Sequence, residues 1–535
     1  MRSVSRQGYL KGAAILSAAV IATKAIGFFY KVPLQNLIGD ENTGIFTAAY
    51  NVYSVLLAVA AAGIPVAMSR LVASAAEQER PVQVRRYFLV AMPVFTFLGG
   101  LGAALMYLFS RQIAGFVGVP EAAAGIRVLA PAVLLVCVYS VYRGYLQGFG
   151  NMIPTALSQI VESVGKVAVG LTAAWLLLDR GAPGERVCAG ALAGTTAGIA
   201  LTIPLMARYK RRTDAVAPLF RNTVDEPAGI RETVRRLLHT SFPVALGASA
   251  MSVFALVDTK LIYVRLQQRP GISYDRAKAL FGVYAKAQTL FNLPSALFIV
   301  PVTVAIVPAI AAAAARRDRR QAGALMTSAL RLNNLLAMPV AFGMSVTAYT
   351  LYGLLYGQSS AEGPVILSIL AVASYFVCLQ LVTTSILQAW GLERAALVTV
   401  PLGGLVKVAA SWHLVGRIGI LGAPVGTLLC YGVIAGANLL LIRRRLPGSV
   451  DLLGVTLRPG LCTFVMTGAA WGINGLLPRL IPGLRASRWG LLLALGITVW
   501  VSAAVYGICV FAFGAVKKQD LKYLPNGKKM KKWLN

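Results

Sequence analysis

The sequence predicts an all-α integral membrane protein of about 14 transmembrane helices, built as two parallel six-helix lobes followed by a C-terminal helix pair. Three observations carry that expectation. The 535 residues are 57% hydrophobic and only 13% charged, with a mean hydropathy of +0.70, too apolar for an ordinary water-soluble protein. Apolar runs long enough to cross a bilayer recur from one end to the other. The chain also matches itself at a fixed offset.

A span needs about 20 apolar residues to cross a hydrocarbon layer of roughly 30 Å. By that measure spans fall near 12–30, 43–69, 87–109, 122–147, 153–178, 187–207, 239–264, 279–310, 323–355, 364–389, 395–414, 419–442, 460–477 and 488–514. Lipid offers backbone amides no partner, so each span must be helical; membrane strands would show a short alternating pattern that is absent. Arg2, Arg6 and Lys11 precede the first apolar run as they would in a secretory signal, but no convincing cleavage site follows, and the run is read as a retained span.

The 51 Lys+Arg against 19 Asp+Glu give a formal charge of +32, which on a soluble protein would point to nucleic acid. Here the basic residues recur at every second loop. One set holds Arg80, Arg85 and Arg86; Arg208, Lys210, Arg211, Arg212, Arg221, Arg231, Arg235 and Arg236; Arg316, Arg317, Arg319 and Arg320; Arg443, Arg444 and Arg445; and Lys517, Lys518, Lys522, Lys528, Lys529, Lys531 and Lys532. The opposite loops hold few, such as Arg111, Arg180, Arg186 and Arg417. The positive-inside rule then puts both termini in the cytoplasm. Most of the charge serves topology and attraction to membrane lipids, with no nucleic-acid partner. Trp175, Trp412 and Trp489 near span ends fit interfacial anchors.

At an offset of 241, Leu146, Gln147, Gly150, Lys166 and Val167 align with Leu387, Gln388, Gly391, Lys407 and Val408, with Phe149 and Trp390 at the aromatic position. The offset contains six spans, so both copies have the same orientation, as in transporters that handle substrate between parallel repeats. The expected organisation is 1–210 as an N-lobe, 211–236 as a basic cytoplasmic linker, 237–446 as a C-lobe, 447–514 as helices 13 and 14, and 515–535 as a basic tail. A weaker match at offset 238 pairs Gly44-Ile45-Phe46 with Gly282-Val283-Tyr284. Thr47, Asn51 and Ser54 follow the first at helical spacing; Lys286, Thr289 and Asn292 follow the second. Such stripes line a hydrated cleft or join helices in a dry bundle. Lys286 favours the cleft, because an ammonium needs water or an anion.

The run Lys24-Ala25-Ile26-Gly27-Phe28-Phe29-Tyr30-Lys31-Val32-Pro33-Leu34, then Ile38-Gly39-Asp40 and Ala62-Gly63-Ile64-Pro65-Val66-Ala67-Met68-Ser69, resembles the start of the stage V sporulation protein B-like branch of bacterial polysaccharide exporters. Phe291-Asn292-Leu293-Pro294 and Val307-Pro308-Ala309 resemble that branch's eighth helix. The branch belongs to the multidrug/oligosaccharidyl-lipid/polysaccharide exporter superfamily and is related to lipid II flippases. The resemblance implies a V-shaped, two-lobed transporter of the bacterial plasma membrane that moves a lipid-linked sugar precursor outward by alternating access. It further implies a cationic cavity lined by helices 1, 2, 7 and 8 and a lipid-tail groove at helices 13 and 14. Lys24 matches an essential first-helix arginine of the flippases, and Tyr30 or Lys31 falls at their second. Asp40 lies near their acidic outer-loop residue. The chain departs from them at Ala58 and Val59, which occupy the region of a helix-2 arginine, and at Gln288 and Thr289, which replace an Asp-Arg pair.

Seven ionisable residues fall well inside spans: Lys24, Glu162, Lys166, Asp258, Lys260, Lys286 and Lys407. At ~3 kcal/mol each, leaving all of them in lipid would cost roughly 20 kcal/mol. Five lysines against two acids leave a net +3, the sign expected of a cleft for a pyrophosphate-linked glycolipid; a cleft for cationic drugs should expose carboxylates. The predicted substrate-binding set is Lys24, Lys31, Lys286, Lys407, Asn51, Thr289 and Asn292, with Lys24 and Lys286 on the diphosphate. Glu162 and Lys166, spaced i,i+4, read as an internal ion pair or as part of transport. Asp258 reads either as a carrier of a proton or sodium or as a structural partner for Lys24 or Lys260.

No enzyme chemistry is expected. There is no P-loop and no nucleophile elbow, and Asp40, Glu41, Asp179, Glu185, Asp275 and Glu362 are too dispersed to suggest a carboxylate pair. The six cysteines have no metal-ligand spacing and read as small core residues; His239 and His413 stand apart, so no metal is expected. The expected partners are an anionic lipid-linked sugar and membrane lipids, handled by a monomer without cofactor and driven by membrane potential, H+ or Na+. The competing readings are a cation-coupled drug exporter of the same superfamily and a membrane glycosyltransferase or polymerase.

Overall fold

Where the apolar runs lie, the chain is helical, and no strand occurs among the described residues. The computed structural model describes residues 6–216, 225–295, 299–316, 318–357, 360–445, 452–481, 483–484 and 487–515. Arg2, Arg221, Arg317 and the basic tail from 516 lie outside them. Helix α1 (Arg6–Ala58) carries the first expected span and most of the second, broken at Gly39 with φ 81° and ψ −178°. A π-turn over Val59–Gly63 leads into α2 (Ile64–Glu77). Then come α3 (Pro81–Leu108), α4 (Ser110–Val117), α5 (Ala122–Gly148), α6 (Ile153–Asp179), α7 (Gly184–Val216) and α8 (Ile230–Gln267). The remainder is α9 (Tyr274–Phe291), α10 (Val300–Ala315), α11 (Arg319–Val346), α12 (Ala348–Tyr356), α13 (Glu362–Ala389), α14 (Glu393–Ile418), α15 (Gly422–Arg445), α16 (Leu452–Leu480) and α17 (Arg488–Ala512).

All 14 expected spans fall on these helices. Ten helices of the described residues are long and apolar enough to cross a membrane, eleven counting one bent pair as a single span. The chain is a multi-pass membrane protein. Two spans read as continuous are broken. The one at 279–310 is two helices, α9 and α10, and α9 ends just before Asn292-Leu293-Pro294. Pro294 lacks an amide hydrogen and its ring crowds the carbonyl four residues back, which accounts for the break. The one at 323–355 bends by 72° between α11 and α12.

The chain divides into two compact units, Met1–Gly282 and Val283–Asn535, so the boundary falls inside α9 and α8 packs with the first unit. In that unit small residues let backbones meet, as membrane helices require without a hydrophobic drive between them. A side chain at Gly194 of α7 would place its Cβ 2.5 Å from the Gly170 nitrogen of α6. The end of the α7–α8 linker, residues 225–228, is tied to the start of α3. Asp225 accepts from the Val82 and Gln83 amides at 2.8 and 3.1 Å, and Arg86 donates to the Ala228 carbonyl at 2.8 Å. In the second unit Met326, Leu330, Tyr375, Cys378, Ile386 and Ile442 share one core. Buried Asn334 crosses it, donating to the Val455 carbonyl and accepting from the Tyr375 hydroxyl, both at 3.2 Å. The six cysteines are buried and form no disulfide among the described residues.

The sequence repeat has a local structural cause. After Leu146-Gln147, the Gly150 amide donates to Gln147 at 2.9 Å and the Asn151 amide to Leu146 at 3.2 Å. After Leu387-Gln388, Gly391 donates to Gln388 at 3.0 Å and Leu392 to Leu387 at 2.9 Å. Both are Schellman caps, with Phe149 and Trp390 as the C-cap residues and glycines at φ 74° and 73°. Only glycine takes that conformation without strain. Gly150→Ala and Gly391→Ala should each cost about 1 kcal/mol, read as a lower melting temperature of the purified protein. Unchanged melting in both would show that these caps do not hold the ends of α5 and α13.

Candidate functional site

In the first unit the cationic residues gather around two tyrosines. Tyr30 and Lys31 lie on α1 before its break and Tyr50 lies after it. The Lys31 Nζ stands 5.9 Å from the centre of the Tyr50 ring, and the Lys166 Nζ stands 4.9 Å from it and 5.7 Å from the Tyr30 ring. Tyr30 is 1% exposed, and its hydroxyl donates to the Ala191 carbonyl of α7 at 3.1 Å. That anchor aims the ring at α6. Two ammonium groups of like charge therefore meet at one tyrosine ring, each held by attraction to the negative ring face. Glu162, one turn back on α6, attracts the Lys166 ammonium, which also reaches across to the tyrosine rings of α1. Lys24, two turns before Lys31, is exposed.

The other predicted residues are placed separately. Asn51 donates from Nδ2 to the Thr259 hydroxyl of α8 at 2.9 Å, the helix-to-helix bond of the dry-bundle reading. Asp258 is buried, and the Lys260 Nζ lies 3.4 Å from the centre of the Phe116 ring. In the second unit Lys286 is buried with its Nζ 5.4 Å from the Tyr356 ring centre, and the Tyr356 hydroxyl donates to the Lys286 carbonyl at 3.3 Å. Thr289 donates to the Ala285 carbonyl at 3.2 Å and Asn292 to that of Gln288 at 2.9 Å, each one turn back on its own helix. Lys407 is buried on α14.

A third cluster was not anticipated. The Lys278 Nζ, at the start of α9, lies 2.7 Å from Glu41, 2.9 Å from Glu121 and 2.9 Å from Asp275. The Tyr274 hydroxyl donates to Glu121 at 2.6 Å, and the Tyr274 ring centre is 4.7 Å from the ammonium. Glu41 and Asp275, read as dispersed outer-loop acids, thus converge on one lysine. Two glycines allow it: a Cβ at Gly44 would lie 2.6 Å from the Lys278 carbonyl oxygen, and one at Gly282 would collide with the Asp40 carbonyl. Asp40 and Gly44 align with Lys278 and Gly282 at the offset of 238, so that register held the signal.

A model of a family described as polysaccharide biosynthesis protein matches residues 9–314, more than half of the chain, and a second of the same description matches 272–362. The chain belongs to the polysaccharide biosynthesis protein family. Another protein similar to this family member is stage V sporulation protein B of Bacillus subtilis (strain 168), 24% identical over 530 residues that cover 98% of each chain. The fold of the present chain is similar to that of the lipid II flippase MurJ in an inward closed conformation, at TM-score 0.69 and 13% identity over 94% of this chain and 98% of that one. It is also that of an inward-facing multidrug resistance MATE family transporter of the MOP superfamily, at TM-score 0.66 and 15% identity over 82% and 98%. The helical transporter fold expected from the motifs is the fold these two structures share with the chain.

In this member of the family the Lys278 cluster is the strongest ionic feature of the described residues. Burial alone would raise the Glu121 carboxyl, but the bonds from Tyr274 and Lys278 outweigh it and hold the group below its ordinary 4.5. Burial pulls the Lys278 ammonium down, and three carboxylates more than reverse that, leaving it above its ordinary 10.5. A depressed acid stabilises the fold above its unfolded value and loses that contribution as pH falls through the folded one; a raised base does so in the opposite sense. The cluster should therefore contribute fully between pH 4.5 and 10.5. Lys278→Met should cost about 2 kcal/mol, since it leaves carboxylates facing one another. Glu121→Gln should flatten the fall in melting temperature below pH 4.5. An acid limb unchanged by Glu121→Gln would remove Glu121 from the account.

Proposed function

We propose that this member of the family is a flippase that moves an anionic lipid-linked saccharide, a pyrophosphate-linked oligosaccharide or a peptidoglycan precursor, from the inner to the outer leaflet by alternating access. The convergence of Lys31 and Lys166 on Tyr50 supports the reading most directly. Two ammonium groups in an apolar chain repel each other, and an anion between them removes that cost. A cationic cargo would add to it. Lysine suits phosphate as a point charge. Lys24 extends the cationic face, with Lys286 and Lys407 as secondary contacts and Asn51, Thr289 and Asn292 as polar neighbours. The similarity to stage V sporulation protein B and the fold shared with a lipid II flippase agree with a cargo of this class.

On this reading the protein makes and breaks no bonds, needs no cofactor, works as a monomer and has both termini in the cytoplasm. An inside-negative potential favours outward movement of an anion by ~2.3 kcal/mol per charge per 100 mV, enough to drive a dianionic headgroup. We assign Asp258 to the coupling role if an ion gradient contributes.

In vesicles, Lys31→Gln combined with Lys166→Gln should slow flipping of a fluorescent polyprenyl-diphosphate sugar at least tenfold, from the loss of two charge-assisted contacts. Lys166→Arg should retain most of the rate. Unchanged flipping by the normally expressed double variant would overturn the assignment. Clamping the potential to zero at constant ion gradients should slow transport; a rate that follows the proton or sodium gradient alone would transfer the driving role to Asp258.

A further inference from the structure

The polar end of α8 carries a second cationic feature, separate from the tyrosine cluster. A cavity of about 390 Å3 is lined by Leu71 of α2 and by Glu232, Arg235, Arg236, His239 and Thr240 of α8. Its one acid is engaged, because Glu232 pairs with Arg236 one turn on. Thr240 donates to the Arg236 carbonyl at 2.8 Å. Arg235 and His239 have no carboxylate or hydrogen-bond partner among the described residues, and both are exposed. Glu232 therefore neutralises Arg236 and leaves the Arg235 guanidinium as the uncompensated charge in the cavity.

The helix continues the pattern away from the cavity. Arg235, His239, Phe242 and Leu246 are spaced by four, three and four, which places them on one face. Phe242 is 67% and Leu246 61% exposed, in a helix long and apolar enough to span a membrane. One stripe thus runs from a free guanidinium and an imidazole, at the level where charge ends, to large apolar side chains one and two turns deeper. That is the profile of a lipid molecule: phosphate at the interface, hydrocarbon below it. A soluble anion would have no use for the apolar half, and an acyl chain alone none for the arginine.

The geometry points to a lipid-phosphate site at this end of α8, in which Arg235 and His239 receive the phosphate and Phe242 and Leu246 lie along the hydrocarbon. The site does not rest on the transport reading. Its occupant is either a resident anionic phospholipid or the diphosphate lipid before it is carried, two sources of one chemistry.

Native mass spectrometry of the intact protein, titrated with phosphatidylglycerol, phosphatidylcholine and a polyprenyl diphosphate, tests it. The polyprenyl arm uses the Lys31→Gln, Lys166→Gln background, so that loss at α8 is read apart from the central cluster. Arg235→Gln with His239→Gln should weaken an anionic-lipid adduct about tenfold. Arg111→Gln, on α4 and off the stripe, should leave it unchanged, and Arg235→Lys should keep most of it. A response with phosphatidylglycerol identifies a resident lipid; a response with the polyprenyl diphosphate alone identifies a loading site for cargo. Phosphatidylcholine bound as tightly as phosphatidylglycerol, or both anionic adducts surviving in the double variant, would overturn the proposal.

Discussion

An ammonium group inside an apolar chain must find something negative, and most of what is distinctive here follows from how each lysine does so. Within the spans the partner seen repeatedly is an aromatic face: Tyr30 and Tyr50 for Lys166, Tyr50 for Lys31, Phe116 for Lys260, Tyr356 for Lys286. Just outside them Lys278 takes three carboxylates. The division is physical. A carboxylate brought into the membrane carries its own desolvation cost, often larger than the attraction it supplies. A ring is already apolar, so its negative face is available there at little cost. The difference also decides what each lysine can do. A carboxylate neutralises the charge it holds, whereas a ring leaves it whole for a ligand.

The anchoring of those rings is what makes the Lys31–Tyr50–Lys166 cluster a fixed feature. Tyr30 sits against Gly170 and bonds the Ala191 carbonyl, so its position depends on the close approach of α6 and α7. A side chain at Gly170 would put its Cβ 2.7 Å from the Tyr30 hydroxyl oxygen. Small residues that look like mere packing in the sequence are therefore what permit the cationic cluster.

The spans were legible because bilayer thickness sets one length and one composition for all of them. The repeat was legible because each copy ends its helix with the same glycine cap, a local device that survives in sequence. Three things were not. The breaks near Pro294 and at Thr347 interrupt runs whose hydropathy is continuous. The aromatic partners of Lys166 were not legible because i,i+4 spacing identifies neighbours on one helix, here Glu162, while Tyr30 and Tyr50 reach it from another. The Lys278 cluster draws on residues 41, 121, 275 and 278, which only the fold brings together.

Duplication accounts for the architecture but not for the site, and the second copy shows why. Lys166 and Lys407 are equivalent, yet the acid one turn before the first, Glu162, has become Gly403 before the second. Gly403 is there for space: a Cβ at that position would collide with the Ile434 side chain. The second copy cannot regain an acid without displacing its own core. Asp40 and Lys278 are also equivalent, but with opposite charge, and the lysine has collected the acids of its surroundings. Each copy has thus used its inherited positions differently. Around Lys166 the charge faces the Tyr30 and Tyr50 rings, and around Lys278 it is spent on holding α9 to α1 and to the start of α5.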